Sequence, residues 1–306
     1  IVYLQMSRAL LDKSEALLQT TTDRTLQETK AWMNSTLTML ETQRDTIEYE
    51  DMDVPAMMDY VKHTVGQNNA YPAGLYVALT DGSLYHASFV PGPDYDPTGK
   101  SWYQDGLKSD SFLLGDVYFD EDSQSYVVGA SGVLKAKDGT VRGVAAADVY
   151  LDSISKIVSE ARLEDSGGIF LVDTRTNIII GHRDGNVIGQ KLDELKDGMY
   201  VYASEQIHGG KAGLSLNDNT YIQVEQVPGS DWTAVAYVSR SEVLHELQQL
   251  TISMLLVAAF AVLVLILLVV IQVRRVIGRP VKELSRAATR IAQGDLEQSI
   301  SYQSRD

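Results

Sequence analysis

The sequence predicts an α+β fold. A long N-terminal helix comes first, then two consecutive modules, each an antiparallel sheet with helices to one side, then a membrane-crossing helix and a shorter amphipathic one. Three observations carry this. Residues 7–46 repeat apolar side chains at helical spacing. Residues 70–240 break into short β-rich runs punctuated by Gly and Asp. Residues 250–273 contain no Asp, Glu, Lys, Arg or His.

In the first segment Leu10, Leu11, Leu17, Leu18, Leu26, Trp32, Leu37 and Leu40 recur near the helical period. Residues 5–69 therefore read as a helical stalk. Residues 1–4 are too short to span a bilayer and read as the outer end of a first membrane helix. The sequence begins at Ile1 and stops at Asp306, which reads as a piece of a longer protein.

The first module covers residues 70–163. GLYVALTDGSLYHAS (74–88) places two strands around an Asp81-Gly82 turn. Strands follow in 111–120 and through 125–150, with Asp138-Gly139 as a second turn, and a helix is expected over 152–162. The second module, 164–249, echoes the first. GGIFLVDTRTNIIIGH (167–182) repeats the strand–turn–strand pattern, and DWTAVAYVSRSEVLHEL (231–247) repeats VRGVAAADVYLDSISKI (141–157), both at an offset of about ninety residues.

The run 250–273 would span about 36 Å as a helix, against about 30 Å of bilayer hydrocarbon. Arg274, Arg275, Arg279 and Lys282 follow it, while Glu242 and Glu246 precede it. The positive-inside rule places residues 274–306 in the cytoplasm and 5–249 outside.

Composition narrows the function. The chain is 44% hydrophobic and 22% charged, which excludes disordered and collagen-like classes. A net charge of −15 argues against a nucleic-acid partner. With no Cys there is no disulfide framework, thiolate metal site or Cys nucleophile. His63, His86, His182, His208 and His245 lack metal-ligand spacing. The acidic stretch 116–122 lacks the order of a calcium-binding loop. Ser131 in GASGV lacks the final Gly of a nucleophile elbow. No Walker pattern or catalytic constellation is present, so neither an enzyme nor a cofactor is expected.

The stretch 91–106, PGPDYDPTGKSWYQDG, is the most informative. Three prolines disfavour regular structure and give a loop that leads into a short helix near Trp102. It gathers Tyr95, Trp102 and Tyr103 around Lys100. Downstream, Tyr118 and Asp120 close one strand, and Val144, Ala146 and Asp148 share one face of another. Small neighbours leave room beside Asp148. Carboxylates and aromatic faces on one cavity suit an ammonium group. The plainer readings are a loop stapled to its own sheet and Asp148 as a turn or helix-capping acid.

The order Tyr95-x4-Lys100-x-Trp102-Tyr103, then Tyr118-x-Asp120, then Asp148, resembles the double Cache sensor domain of bacterial chemoreceptors. The likeness covers roughly residues 5–249 and implies tandem PAS-like modules, with ligand held by the membrane-distal one, here residues 70–163. It further implies that residues matching Lys100 and Trp102 hold a ligand carboxylate, and that those matching Tyr103, Tyr118, Asp120 and Asp148 hold its amino group. The family normally carries Arg where this chain has Lys100. Lys is a point charge and lacks the bidentate fork of Arg. Three ligands stay open: an amino acid held through Lys100, an amine without a carboxylate, or a larger molecule such as a purine.

Beyond the membrane run, Arg279-Pro280 opens an amphipathic helix with Leu284, Ala288 and Ile291 on one face, and Gly294-Asp295-Leu296 ends it. This is similar to the start of a HAMP linker, which implies a homodimer and a cytoplasmic output domain. The whole reads as a transmembrane chemoreceptor for an amine-containing ligand, acting through a cytoplasmic chemotaxis kinase and adaptor. The alternatives are the same sensor on a histidine kinase or diguanylate cyclase, and a non-signalling solute-binding or adhesion module.

Overall fold

The computed structural model describes residues 2–120, 123–161, 163, 167–217 and 219–292. Helix α1 runs from Val2 to Glu50, longer at both ends than its apolar periodicity marks. Its inward face carries Leu18, Leu26, Met33, Leu40 and Ile47, all buried. Between them lie buried threonines, and the hydroxyls of Thr22 and Thr25 donate back to the carbonyls of Leu18 and Thr21 at 2.7 and 2.9 Å. Those internal bonds let Thr22 and Thr25 enter the interface with their hydroxyls paired, whereas the buried Thr29 hydroxyl finds no partner among the described residues.

The helical stalk expected over 5–69 is two helices. Asp51 turns into the left-handed region at φ 51. Asp53 then caps α2 (Val54–Thr64) by accepting the Ala56 N–H at 3.0 Å, and Pro55 fits the first turn, where its missing N–H costs nothing.

The first module follows with β1 (Tyr76–Leu79), β2 (Leu84–Tyr85), α3 (Ser101–Gly106), β3 (Leu113–Asp120), β4 (Ser125–Lys135) and β5 (Val141–Tyr150). Its sheet has the order β2-β1-β5-β4-β3, antiparallel throughout. The β1–β2 turn needs Gly82 at φ 86, as the Asp-Gly signal anticipates. Polar clamps hold this sheet to α1. Arg44 donates to the carbonyls of Asp110 and Val133, while Glu41 and Glu48 accept the N–H groups of Phe112 and Lys135 at 3.0 and 2.7 Å.

After α4 (Asp152–Glu160), the second module contains β6 (Gly168–Asp173), β7 (Ile178–Gly181), α5 (Gly198–His208), β8 (Gly213–Asn217), β9 (Thr220–Gln226) and β10 (Trp232–Ser239). Its order, β7-β6-β10-β9-β8, repeats the first sheet strand for strand. The internal echo is thus a structural repeat. Helix α4 lies on the second sheet, with Ile154 and Val158 packed on Ile169, Leu171 and Ile180 in a core that also reaches α1, α2 and the first sheet. Each such fully buried aliphatic side chain contributes about 1.5–3 kcal/mol.

Residues 4–244 form one compact unit, and the chain from 245 onward belongs to another. There α6 (Arg240–Val273) carries a window of mean hydropathy 3.5 with none of it buried, so Leu255, Phe260 and Leu263 expose most of their surface. By length and composition it can cross a membrane. A π-helical turn, Arg274–Gly278, and α7 (Arg279–Ala292) follow. The Gly294-Asp295-Leu296 step of the HAMP-like pattern lies outside the described residues.

Candidate ligand-binding site

The first module carries a partly open cavity of about 1060 Å³. Its back wall is the sheet. Asp148 on β5 pairs with Gly129 on β4, and Ala146 pairs with Tyr76 on β1. Alternation along β5 puts Val144 and Ala146 in the cluster behind Trp102, as the sequence pattern requires. Helix α3 supplies Trp102, whose indole meets the Tyr76 ring edge-on at 5.1 Å. Gly106 lets α3 come this close, since a Cβ there would lie 2.4 Å from Val144 Cγ1. The proline-rich loop adds Tyr95, packed edge-on against Phe89 at 5.2 Å. The edge strand of the same sheet, β3, adds Tyr118 and Asp120 to the lining.

Asp148 is the centre of the polar network. The hydroxyls of Tyr76 and Tyr118 both donate to its Oδ1, at 3.0 and 2.5 Å. Among the described residues nothing donates to Oδ2. Burial pushes the Asp148 carboxyl above the usual carboxylate range, the two hydroxyls pull it back, and Asp120 adds to the rise. Burial, with the neighbouring Asp148 charge, also pushes the Tyr76 and Tyr118 hydroxyls up, so both stay protonated donors. The result is an oriented carboxylate with one oxygen satisfied and, among the described residues, no ion pair to a cation. Such a site is chemically suited to an ammonium group.

Six of the seven residues singled out in the sequence line this cavity: Tyr95, Lys100, Trp102, Tyr118, Asp120 and Asp148. Asp120 is braced by Ser123, whose N–H and hydroxyl donate to its Oδ2 at 3.0 and 2.5 Å. Lys100 is exposed, with Nζ 4.9 Å from the Tyr95 ring centroid, and among the described residues it forms no ion pair. Tyr103 is placed differently from its expected ligand contact. It is buried behind Trp102 with ring centroids 5.8 Å apart, and it is not part of the cavity wall. On α3 it follows Trp102 directly, so the two side chains point about 100° apart and cannot share one wall.

Sequence reasoning missed Tyr76, His86 and Phe89. Tyr76 gains its place through pairing with Ala146, a register that no local pattern states. His86 stacks on Tyr76 at 5.0 Å, and its Nδ1 accepts the N–H groups of Ser88 and Phe89 at 3.2 and 2.9 Å. Those bonds leave the ring proton on Nε2 in the neutral form.

The Cache domain family model, in its double form, matches residues 4–247. Among curated relatives, the methyl-accepting chemotaxis protein PscA of Pseudomonas syringae pv. tomato is 23% identical over 289 residues, covering 92% of this chain and 44% of PscA. The methyl-accepting chemotaxis protein PctB of Pseudomonas aeruginosa is 27% identical over 240 residues, covering 76% of this chain and 37% of PctB. The chain thus spans less than half the length of these relatives. In fold it is similar to the ligand-binding domain of the Pseudomonas aeruginosa amino acid chemoreceptor PctC in complex with GABA, with a TM-score of 0.61 at 19% identity, covering 74% of this chain and 99% of that one.

Proposed function

The chain belongs to the Cache domain family, and from that premise we propose that it is the sensing and membrane-crossing part of a chemoreceptor whose first module binds a small ligand through its ammonium group. The observation that carries this is the Asp148 carboxylate, oriented by two tyrosine hydroxyls, with Oδ2 accepting no bond and no ion pair to a cation among the described residues. The ligand nitrogen bonds Oδ2, lies against the Trp102 and Tyr76 rings, and gains from Asp120 in the same lining. Lys100 faces the carboxylate of an amino acid as a single point charge. The GABA in the PctC structure, an amine with a distant carboxylate, supports a ligand of this class.

The signal starts in β5. Asp148 is followed after two residues by Leu151, the N-cap of α4, and α4 packs on the second sheet. Ligand that draws β5, β3 and α3 together biases α4 and, through β10, helix α6. The bias equals the ligand's differential affinity for the two states. Residues 5–249 lie outside the membrane and those after 273 in the cytoplasm. There a HAMP linker joins a homodimer to an output domain that engages the chemotaxis kinase and adaptor.

A thermal-shift screen of the twenty L-amino acids, simple amines, purines and carboxylates on the chain in lipid nanodiscs tests the reading. At a ligand concentration a hundredfold above Kd the gain is about 2.7 kcal/mol, which at about 2–4 °C per kcal/mol gives a rise of about 5–11 °C. Ammonium-bearing compounds produce it. Rises confined to compounds without a basic nitrogen contradict the proposal.

A further inference from the structure

Arg175 stands in the turn between β6 and β7 of the second module, yet its side chain reaches the first. Its Nη2 lies 3.4 Å from Asp116 Oδ1 and 3.4 Å from the Leu114 carbonyl oxygen, both on β3. Its Nε faces Asp231 at 3.3 Å and the fully buried Asp173 at 3.9 Å. Asp173 is itself fixed, because its other oxygen accepts the Thr176 hydroxyl at 2.6 Å. The base of the arginine is thus anchored in its own module while its tip serves the other.

The receiving segment is irregular. Leu114 pairs with Ala130 and Val117 with Val128, so Gly115 and Asp116 stand opposite the single residue Gly129. A bulge of this kind re-aims side chains and leaves backbone groups outside the ladder. Here the Leu114 carbonyl takes Arg175, and Asp116 both lines the cavity and meets the guanidinium. Gly129 is in turn the β4 partner of Asp148. A second contact braces the far end of the same strand. The Tyr126 ring lies against Gly189 of the second module, where a Cβ would come within 1.9 Å of it. Tyr126 also packs edge-on against Phe119, between Tyr118 and Asp120, at 5.2 Å.

We propose that Arg175 is a positioning residue that holds Asp116 and the bulged wall of the first module's cavity from the second module. An exposed arginine–carboxylate pair alone is a weak tie. This guanidinium serves three carboxylates and a carbonyl, and two of the four acceptors belong to the cavity strand. Movement of either module therefore reaches the other through one side chain, and the coupling is reciprocal. It also makes Asp116 unlike Asp148: one carboxylate is already matched to a cation, the other is not.

Hydrogen exchange read by mass spectrometry on the chain in nanodiscs, with no ligand added, tests this. Arg175→Gln is expected to speed exchange at least threefold over residues 113–118 as well as 174–177. Asp116→Asn is expected to speed it over 174–177, and Arg175→Lys to give an intermediate effect. Raising salt should loosen residues 113–118 in the wild type and leave Arg175→Gln unaffected, since the tie is ionic. Should Arg175→Gln unfold the chain, the surface variant Asp116→Asn reads the same tie from the other side. An Arg175→Gln effect confined to 171–181, or an Asp116→Asn effect that never reaches 174–177, overturns the proposal. Because no ligand is used, either result leaves the ammonium reading standing.

Discussion

Asp148→Asn separates a binding carboxylate from a structural one. The substitution keeps the side-chain shape, and the amide oxygen can still accept the Tyr76 and Tyr118 hydroxyls that now meet Oδ1 at 3.0 and 2.5 Å. What changes is the other arm. An acceptor with negative charge becomes an NH₂ donor facing the ligand nitrogen. A hydrogen bond to a charged group is worth about 1.5–3 kcal/mol, and 1.36 kcal/mol is tenfold, so affinity for an ammonium ligand should fall about ten- to a hundredfold. The empty protein should respond in the opposite sense. Burial holds this carboxyl above its usual range, so its charge opposes folding at neutral pH, and removing that charge should leave the melting temperature unchanged or higher. Calorimetry of an amine-bearing ligand together with a melting curve gives both numbers. Unchanged affinity, or a loss of affinity that merely follows a collapse in stability, refutes the reasoning.

Three further expectations follow from the same geometry. The carboxyl of Asp148 lies above its ordinary value of 3.8. Its contribution to the stability of the empty chain is therefore fully present below 3.8 and lost as pH rises through the raised value, whereas ammonium affinity grows over that same window and binding releases protons; a flat affinity between about pH 4 and 7 contradicts this. Lys100→Ala should weaken L-amino acids about tenfold while sparing amines that lack a carboxylate, and Lys100→Arg should tighten amino acids through bidentate bonding; equal effects on both ligand classes in calorimetry remove Lys100 from the carboxylate role. Gly106→Ala forces a Cβ to within 2.4 Å of Val144 Cγ1 and should destabilise the chain by about 1–3 kcal/mol in thermal unfolding; an unchanged melting temperature means α3 does not depend on that close approach.

Local chemistry explains what could be read in advance. The Asp81-Gly82 turn, the charge-free run 250–273 and the 3.6-residue spacing of α1 are each set by neighbouring residues, and each was legible. The repeat was legible at its ends, 167–182 and 231–247, where the strands are mostly apolar and almost wholly buried. Its middle was not. β8 exposes Leu214 and Leu216 and buries neither neighbour fully, so its alternation carries no clear inside face. The break between α1 and α2 rests on three residues, Asp51 to Asp53, within a helical pattern. In the cavity, Tyr95, Lys100 and Trp102 are legible because they cluster in the proline-rich loop, Asp148 because it alternates with small partners, and Tyr118 and Asp120 through the strand end and the resemblance. Tyr76 and His86 depend on cross-strand register, and Arg175 depends on how two modules meet. The resemblance implies that Tyr103 holds the ligand amino group, whereas the structure buries it behind Trp102, outside the cavity lining.

The most direct measurement is a crystal structure of residues 4–247 soaked with the tightest ligand from the thermal-shift screen. The account predicts a basic nitrogen about 3 Å from Asp148 Oδ2, lying against Trp102 and Tyr76 in the first module. A ligand bound in the second module, or one that turns an uncharged group toward Asp148, contradicts it.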